Sequence, residues 1–181
     1  MAGLLVAVVT FGLLAAAAPA ARADGDPGSD VLVYQNLFVA ADADMPVPLQ
    51  VELGNLLGAA ERSGFPIRVA VVSRPSDLGA ITALWGKPDA YARFLGTELS
   101  LAYAQRLLIV MPGGFGFSWQ SHPAADAYRV LGQVPVKPGG DGLGLAAETA
   151  VRSLASASGI PLPAASAVAP PAPASPVPAS A

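Results

Sequence analysis

Cysteine is absent from this chain of 181 residues, and histidine occurs once, at His122. The first absence excludes disulfide bonds, so a folded domain must be held together by its apolar core. The second excludes a metal site built from several histidines. Basic residues are also few, with ten Lys and Arg against thirteen Asp and Glu. We therefore expect neither nucleic acid nor an anionic membrane surface as a partner.

The amino terminus lacks the Lys or Arg that normally precedes the apolar run of an export signal. An uncharged apolar run nevertheless covers residues 4–18, and the helix breaker Pro19 follows it. Small residues at Ala21 and Ala23 suit signal peptidase, which predicts cleavage after Ala23. The alternative is a retained membrane anchor, which is disfavoured because the run is shorter than the ~20 residues that span a bilayer.

Composition divides the chain into four segments. Residues 1–23 are the predicted signal peptide, and residues 24–29 a flexible leader that is polar and contains Gly and Pro. Residues 30–158 have a typical size for one folded domain. Residues 159–181 are dominated by Ala, Pro, Ser and Val, which predicts a disordered tail. We expect the mature chain to be secreted or part of the cell envelope, with no transmembrane span.

Hydrophobic periodicity predicts helices and strands in alternation. Apolar residues at helical spacing indicate helices over 49–60, 88–103, 124–131 and 143–154. Two nearly continuous apolar runs, Ile67–Val72 and Leu107–Met111, are typical of strands buried on both faces. Short strands are also predicted at Val31–Tyr34 and Phe115–Trp119.

A helix between the two buried strands predicts a parallel pair with a right-handed crossover. The expected fold class is α/β: a small three-layer domain with a short, mostly parallel central sheet flanked by helices.

In an open α/β sheet, ligands bind at the carboxyl ends of the strands. Arg74 and Asp77 follow the first buried strand, and Gly113 and Gly114 follow the second. Arg74 could bind a phosphate or carboxylate, Asp77 a cation or a water, and the glycine turn an anion through its backbone N–H groups. The alternatives are that Asp77 caps a short helix starting at Leu78 and that the glycines form a plain turn.

Two other features resemble functional motifs only in part. Asp42 and Asp44 have the spacing of a calcium loop, but the other ligands and the central glycine of that loop are missing, which favours solvated carboxylates. His122 would have to serve any Ser-His-Asp arrangement, yet no nucleophile-elbow pattern surrounds Ser118 or Ser121. An exposed residue at a helix start is the favoured interpretation of His122.

Three segments, GFPIRVAVV, LWGKPDAYARFLG and LLIVMPGGFGF, share a pattern of Gly-led strand, helix with Tyr-Ala, and strand followed by glycines. In this pattern the chain resembles the TPM-domain family of exported or lumenal α/β domains, as a divergent, actinobacterial-type member. The resemblance covers roughly residues 30–155. Its positions are Asp30, Gly64, Val69, Val71, Val72, Tyr91, Ala92, Leu107, Leu108, Val110 and Gly116.

The chain departs from the family pattern where metal or weak phosphatase chemistry has been proposed for it. Gln105 and Arg106 replace the usual Asp and Gly before the second buried strand, and Pro112-Gly113-Gly114 replace a charged turn. No catalytic residue carries over. The first hypothesis is therefore a non-enzymatic module that contacts an envelope protein or glycan. The alternative is a weak metal-assisted phosphatase that uses calcium or magnesium near Asp77.

Overall fold

A four-stranded sheet in the order β1-β2-β3-β4 organises the computed structural model, which describes residues 25–163. Its strands are Leu37–Val39 (β1), Ile67–Val71 (β2), Arg106–Met111 (β3) and Gly114–Ser118 (β4). The first three strands run parallel, and β4 pairs antiparallel with β3. The expected signal peptide (1–23), the cleavage site and residues 164–181 of the expected tail lie outside the described residues.

Helices flank this sheet, which confirms the predicted α/β class. They are Pro27–Leu32 (α1), Val47–Arg62 (α2), Pro88–Glu98 (α3), Ala125–Leu131 (α4) and Gly140–Ala157 (α5), with a kinked 3₁₀ segment at Pro75–Leu84. The four predicted helices correspond to α2–α5, although α3 ends before the expected residue 103. Within residues 25–163, no helix has both the length and the apolarity needed to cross a membrane.

Side chains that alternate along the strands form two separate cores on opposite faces of the sheet. Val69 and Val71 of β2 belong to the core that contains α2, α4 and α5. Ala70 belongs to the core that contains α1 and α3. Residues Leu107–Met111 of β3 are each at most 1% exposed, as their nearly continuous apolar sequence predicts for a strand covered on both faces.

The connections between the parallel strands pass over opposite faces. Helix α2, which joins β1 to β2, lies in one core, whereas α3, which joins β2 to β3, lies in the other. Both connections move in the same direction across the sheet, since the strand order is sequential. They therefore have opposite hands. The predicted parallel pair is confirmed, but the general preference for right-handed crossovers holds for one of these connections alone.

The segment before β1 is helical, so the strand predicted at Val31–Tyr34 is wrong. Asp26 precedes α1, and its Oδ1 accepts a hydrogen bond from the backbone N–H of Gly28 at 3.1 Å. This cap, followed by a proline in the first turn, favours a helix over the local β propensity. The helix starts at Pro27, inside the stretch 24–29 that was expected to be flexible.

Asp26 also attaches α1 to α3. The buried Tyr91 hydroxyl donates a hydrogen bond of 2.7 Å to Asp26 Oδ1, while the second carboxylate oxygen is buried without a partner among the described residues. Burial raises the pKa of Asp26 above its ordinary value, although the hydrogen bonds from Tyr91 and Gly28 partly oppose this shift.

A glycine in β4 lets α3 approach the sheet closely. A Cβ atom on Gly116 would overlap the backbone carbonyl of Pro88 in the first turn of α3. A Cβ on Gly113, three residues earlier in the chain, would meet no atom within 4 Å.

We expect Gly116→Ala to lower the free energy of unfolding by about 1–3 kcal/mol or more, because backbone must move to relieve the overlap. Gly113→Ala is the matched control and should change it by less than about 0.5 kcal/mol. Urea denaturation measures both. Equal stability of the two variants would show that α3 does not depend on this contact.

A second prediction concerns the pH dependence of stability. Because the pKa of Asp26 is raised on folding, its contribution to stability is complete below the ordinary value of 3.8 and is lost as the pH rises through the folded-state value. As the pH rises from acidic to neutral, the wild type should therefore lose unfolding free energy relative to Asp26→Asn. Urea denaturation across this range tests it, with the exposed Asp141→Asn as control. A pH-independent difference for Asp26→Asn would contradict it.

Candidate functional site

The predicted site lies at the carboxyl edge of the sheet, where the three parallel strands end. Arg74 follows β2, and its guanidinium pairs with Asp42 at 3.0 Å and Asp44 at 3.4 Å, both from the segment after β1. All three side chains are exposed to solvent by more than two fifths. The aspartates expected to be solvated thus lie beside a cation supplied by the chain itself, in pairs of the weak, solvent-screened kind.

Asp77 is buried next to Arg74 but bonds mainly to the local backbone. Its Oδ2 accepts hydrogen bonds from the Ser73 backbone N–H at 2.7 Å and the Arg74 backbone N–H at 3.0 Å. The Ser73 hydroxyl donates a third bond at 3.0 Å. These bonds shape the loop between β2 and the 3₁₀ segment. Asp77 is the third residue of that segment, which begins at Pro75, so it does not cap a helix starting at Leu78 as the alternative expected.

Gly113 and Gly114 form the turn between β3 and β4. Gly114 pairs in register with Met111 and has a φ of 131°, a conformation that favours glycine. Among the described residues, no hydrogen bond or ion pair joins this turn to Arg74 or Asp77. Within the same part of the chain, no three carboxylate or imidazole side chains form a group that could hold a metal ion.

A cleft of about 450 Å³ lies at the opposite edge of the sheet, where β2 and β3 begin. We call it the amino-edge cleft. Its lining combines aromatic side chains, apolar side chains of α4 and α5, and three charged groups: Phe65, Phe117, Trp119, His122, Pro123, Ala127, Val130, Leu154, Ala157, Ser158, Arg106, Arg129 and Asp126.

Four of these side chains form a stack along the cleft. The Arg106 guanidinium carbon lies 4.2 Å from the ring centre of Phe65 and 3.9 Å from that of Trp119. The His122 ring lies 3.6 Å from Trp119 and is parallel to it within 7°. Because Arg106 and His122 both lie over the centre of the indole, they must cover its opposite faces. The order is Phe65, Arg106, Trp119, His122, and we call this group the aromatic–cation stack.

The ends of the strands position the aromatic–cation stack. Arg106 is the first residue of β3, and its carbonyl accepts a hydrogen bond from the Tyr103 hydroxyl at 3.0 Å. Trp119 directly follows β4, and its carbonyl accepts the backbone N–H of His122 at 3.0 Å. His122 is exposed and precedes α4, as its favoured interpretation predicted.

Tyr128 holds α4, one wall of the cleft, against the sheet. Its hydroxyl donates a 2.5 Å hydrogen bond to Asp89 Oδ1 and accepts the backbone N–H of Phe117 at 2.9 Å. Burial, with the bond to Asp89, raises the pKa of Tyr128 to about 12. The hydroxyl is therefore protonated and able to donate this hydrogen bond at neutral pH.

The charges of the cleft are unequally paired. Arg129 bonds to Asp126 at 2.6 Å, within α4. No hydrogen bond or ion pair between residues 25 and 163 engages the Arg106 guanidinium, which packs against the rings of Phe65 and Trp119. Burial lowers the pKa of Arg106, but an arginine stays protonated at neutral pH. The cleft therefore presents one positive charge without a carboxylate partner in that part of the chain.

The sequence did not predict that Arg106 and His122 lie in the same cleft. One signal was available: Phe65 and Arg106 lie at the starts of two adjacent strands, and parallel pairing places Arg106 opposite Ile67. The general rule that ligands bind at the carboxyl edge directed attention to the other end of the sheet.

Comparison with known proteins gives one weak structural likeness. No protein-family model matches the chain, and no curated protein matches it. The solution NMR structure of the N-terminal domain of the cg2496 protein from Corynebacterium glutamicum is similar at 12% identity and a TM-score of 0.45. The match covers 77% of this chain and 85% of that domain. A likeness at this level establishes neither a shared family nor a shared activity.

Proposed function

We propose that this chain is a non-enzymatic, extracytoplasmic binding domain that contacts another component of the cell envelope through the amino-edge cleft. The observation that carries the proposal is the aromatic–cation stack, which displays Arg106 without a carboxylate partner among the described residues. Trp and Arg are the residues that contribute most to binding free energy at protein surfaces, particularly when neighbouring groups exclude water from them.

The polar groups at the carboxyl edge support the same proposal. Asp77 is engaged by three hydrogen bonds from its own loop, and Asp42 pairs with Arg74. A general base or metal ligand needs a lone pair directed at the substrate or cation. These carboxylates direct their oxygens at protein donors. The expected export signal and the acidic, cysteine-free composition agree with an extracytoplasmic location.

A second function has one observation in its favour, which is that the Asp42 and Asp44 carboxylates both lie beside the Arg74 guanidinium at the strand ends. Such a group could hold a phosphate ester on the guanidinium with a cation on the carboxylates. This alternative is the metal-assisted phosphatase, with calcium or magnesium as its cation.

We expect the mature chain, immobilised from Asp24 onward, to retain a defined component of fractionated envelope extract. Trp119→Ala should reduce retention by about tenfold or more, because it removes the centre of the aromatic–cation stack. Arg74→Gln is the matched control at the other edge and should retain the component as the wild type does. Equal loss in both variants, or no loss in either, would contradict a role for the cleft.

The same preparations distinguish the alternative function. Hydrolysis of para-nitrophenyl phosphate is measured with calcium, with magnesium and with EDTA, for the wild type and for Asp42→Asn. We expect calcium and magnesium to leave the hydrolysis rate of the wild type unchanged, and Asp42→Asn to have the same rate as the wild type. A metal-dependent rate that falls in Asp42→Asn and persists in Trp119→Ala would favour the phosphatase.

A further inference from the structure

We propose that the amino-edge cleft binds a monoanionic carboxylate carried on an apolar body, with the carboxylate on the edge of the Arg106 guanidinium. This inference rests on the proposed binding function and names the chemistry of its ligand. It follows from the shape of the exposed cation, the charge around it and the apolar walls beside it.

Arg106 offers a ligand the N–H groups of a guanidinium packed between two rings. Its central carbon lies 4.2 Å from the Phe65 ring centre and 3.9 Å from that of Trp119, and its side chain lines the cleft. The N–H groups of a guanidinium form a planar fork that matches the two oxygens of a carboxylate. Packing against two rings restricts the motion of this side chain before a ligand arrives.

The local charge favours a ligand with one negative charge. Arg129 is already bonded to Asp126 at 2.6 Å, and the His122 Nδ1 lies 2.8 Å from the Gln120 carbonyl oxygen. Arg106 is therefore the one cation of the cleft without a carboxylate partner between residues 25 and 163. A phosphate monoester brings close to two charges, and the second would lack a counterion here.

The other walls favour an apolar body. Phe117 and Leu154 are nearly buried in the core behind the cleft, at 5% exposure each, and Val130 of α4 packs against the same core. A cavity of about 450 Å³ is within the range of small-molecule sites. A ligand can thus place its carboxylate on Arg106 and its apolar part against α4 and α5.

Nuclear magnetic resonance titration of the mature chain with 4-phenylbutyrate tests this chemistry, with the neutral isostere 4-phenylbutanamide as the matched ligand. We expect the acid to shift backbone amide signals of residues 117–130 and 154–158. The neutral amide should bind with an affinity at least about tenfold lower, because it lacks the negative charge that would pair with Arg106. Equal affinity for the two ligands would overturn the proposal. So would phenyl phosphate binding more tightly than the acid.

Protein variants provide a second, independent comparison. Arg106→Gln should weaken 4-phenylbutyrate about tenfold or more, whereas Arg74→Gln, at the opposite edge of the sheet, should change affinity less than about threefold. Similar effects of both variants would contradict the assignment. If Arg106→Gln fails to fold, the acid and amide titrations of the wild type still decide the question.

A carboxylate could come from a free organic acid or from the end of a peptide. Acetyl-Ala-Phe with a free carboxyl terminus, compared with its carboxyl-terminal amide, tests the second source by the same titration. If the envelope component is retained through Trp119 but no carboxylate binds, the ligand chemistry is wrong and the binding function stands. If neither occurs, both are wrong.

Discussion

The burial of β3 on both faces is the constraint on which the rest of the domain depends. A strand whose side chains from Leu107 to Met111 are hidden from water needs a helical layer on each side of the sheet. Helices α2 and α5 supply one layer, and α1 and α3 supply the other. Close approach of α3 requires Gly116 in β4, and the attachment of α1 requires Tyr91 to reach a buried carboxylate. Gly116 and the hydrogen bond between Tyr91 and Asp26 therefore both help to keep β3 buried.

This covering leaves the two edges of the sheet as the places for polar chemistry, and the edges differ. At the carboxyl edge, Arg74 and Asp77 interact with groups of the chain itself. At the amino edge, Arg106 packs against two aromatic rings and lines the cleft. The ion pairs of Arg74 are made within the chain and stabilise its folded state. Arg106 has no carboxylate partner among residues 25–163, which favours binding of a ligand that supplies one.

Much of the fold was predictable because its signals are local. The apolar runs of β2 and β3 and the periodicity of α2 to α5 lie within single segments, and they predicted these elements and the parallel pairing of β2 with β3 correctly. The first helix was missed although its cap at Asp26 is local, because the contact that buries this cap comes from Tyr91, which is 65 residues away. Residues 31–34 are β-prone and residues 24–29 are polar with Gly and Pro, so the local sequence does not indicate this contact.

The aromatic–cation stack was harder to predict for the same reason. Its four members come from three separate segments of the chain, and each one has an ordinary structural role when considered alone. No comparison tests the resemblance to the TPM-domain family, so it stays a prediction. Arg106, which departs from the pattern expected of that family, lines the cleft.

The two crossovers of opposite hand limit how this architecture can be built from smaller parts. Rotation and translation preserve handedness, so the unit from β1 to β2 cannot be superimposed on the unit from β2 to β3. Duplication of an ancestral strand–helix–strand piece could not by itself produce both halves, and adding further copies of either half could not extend the sheet while keeping its present pattern of layers.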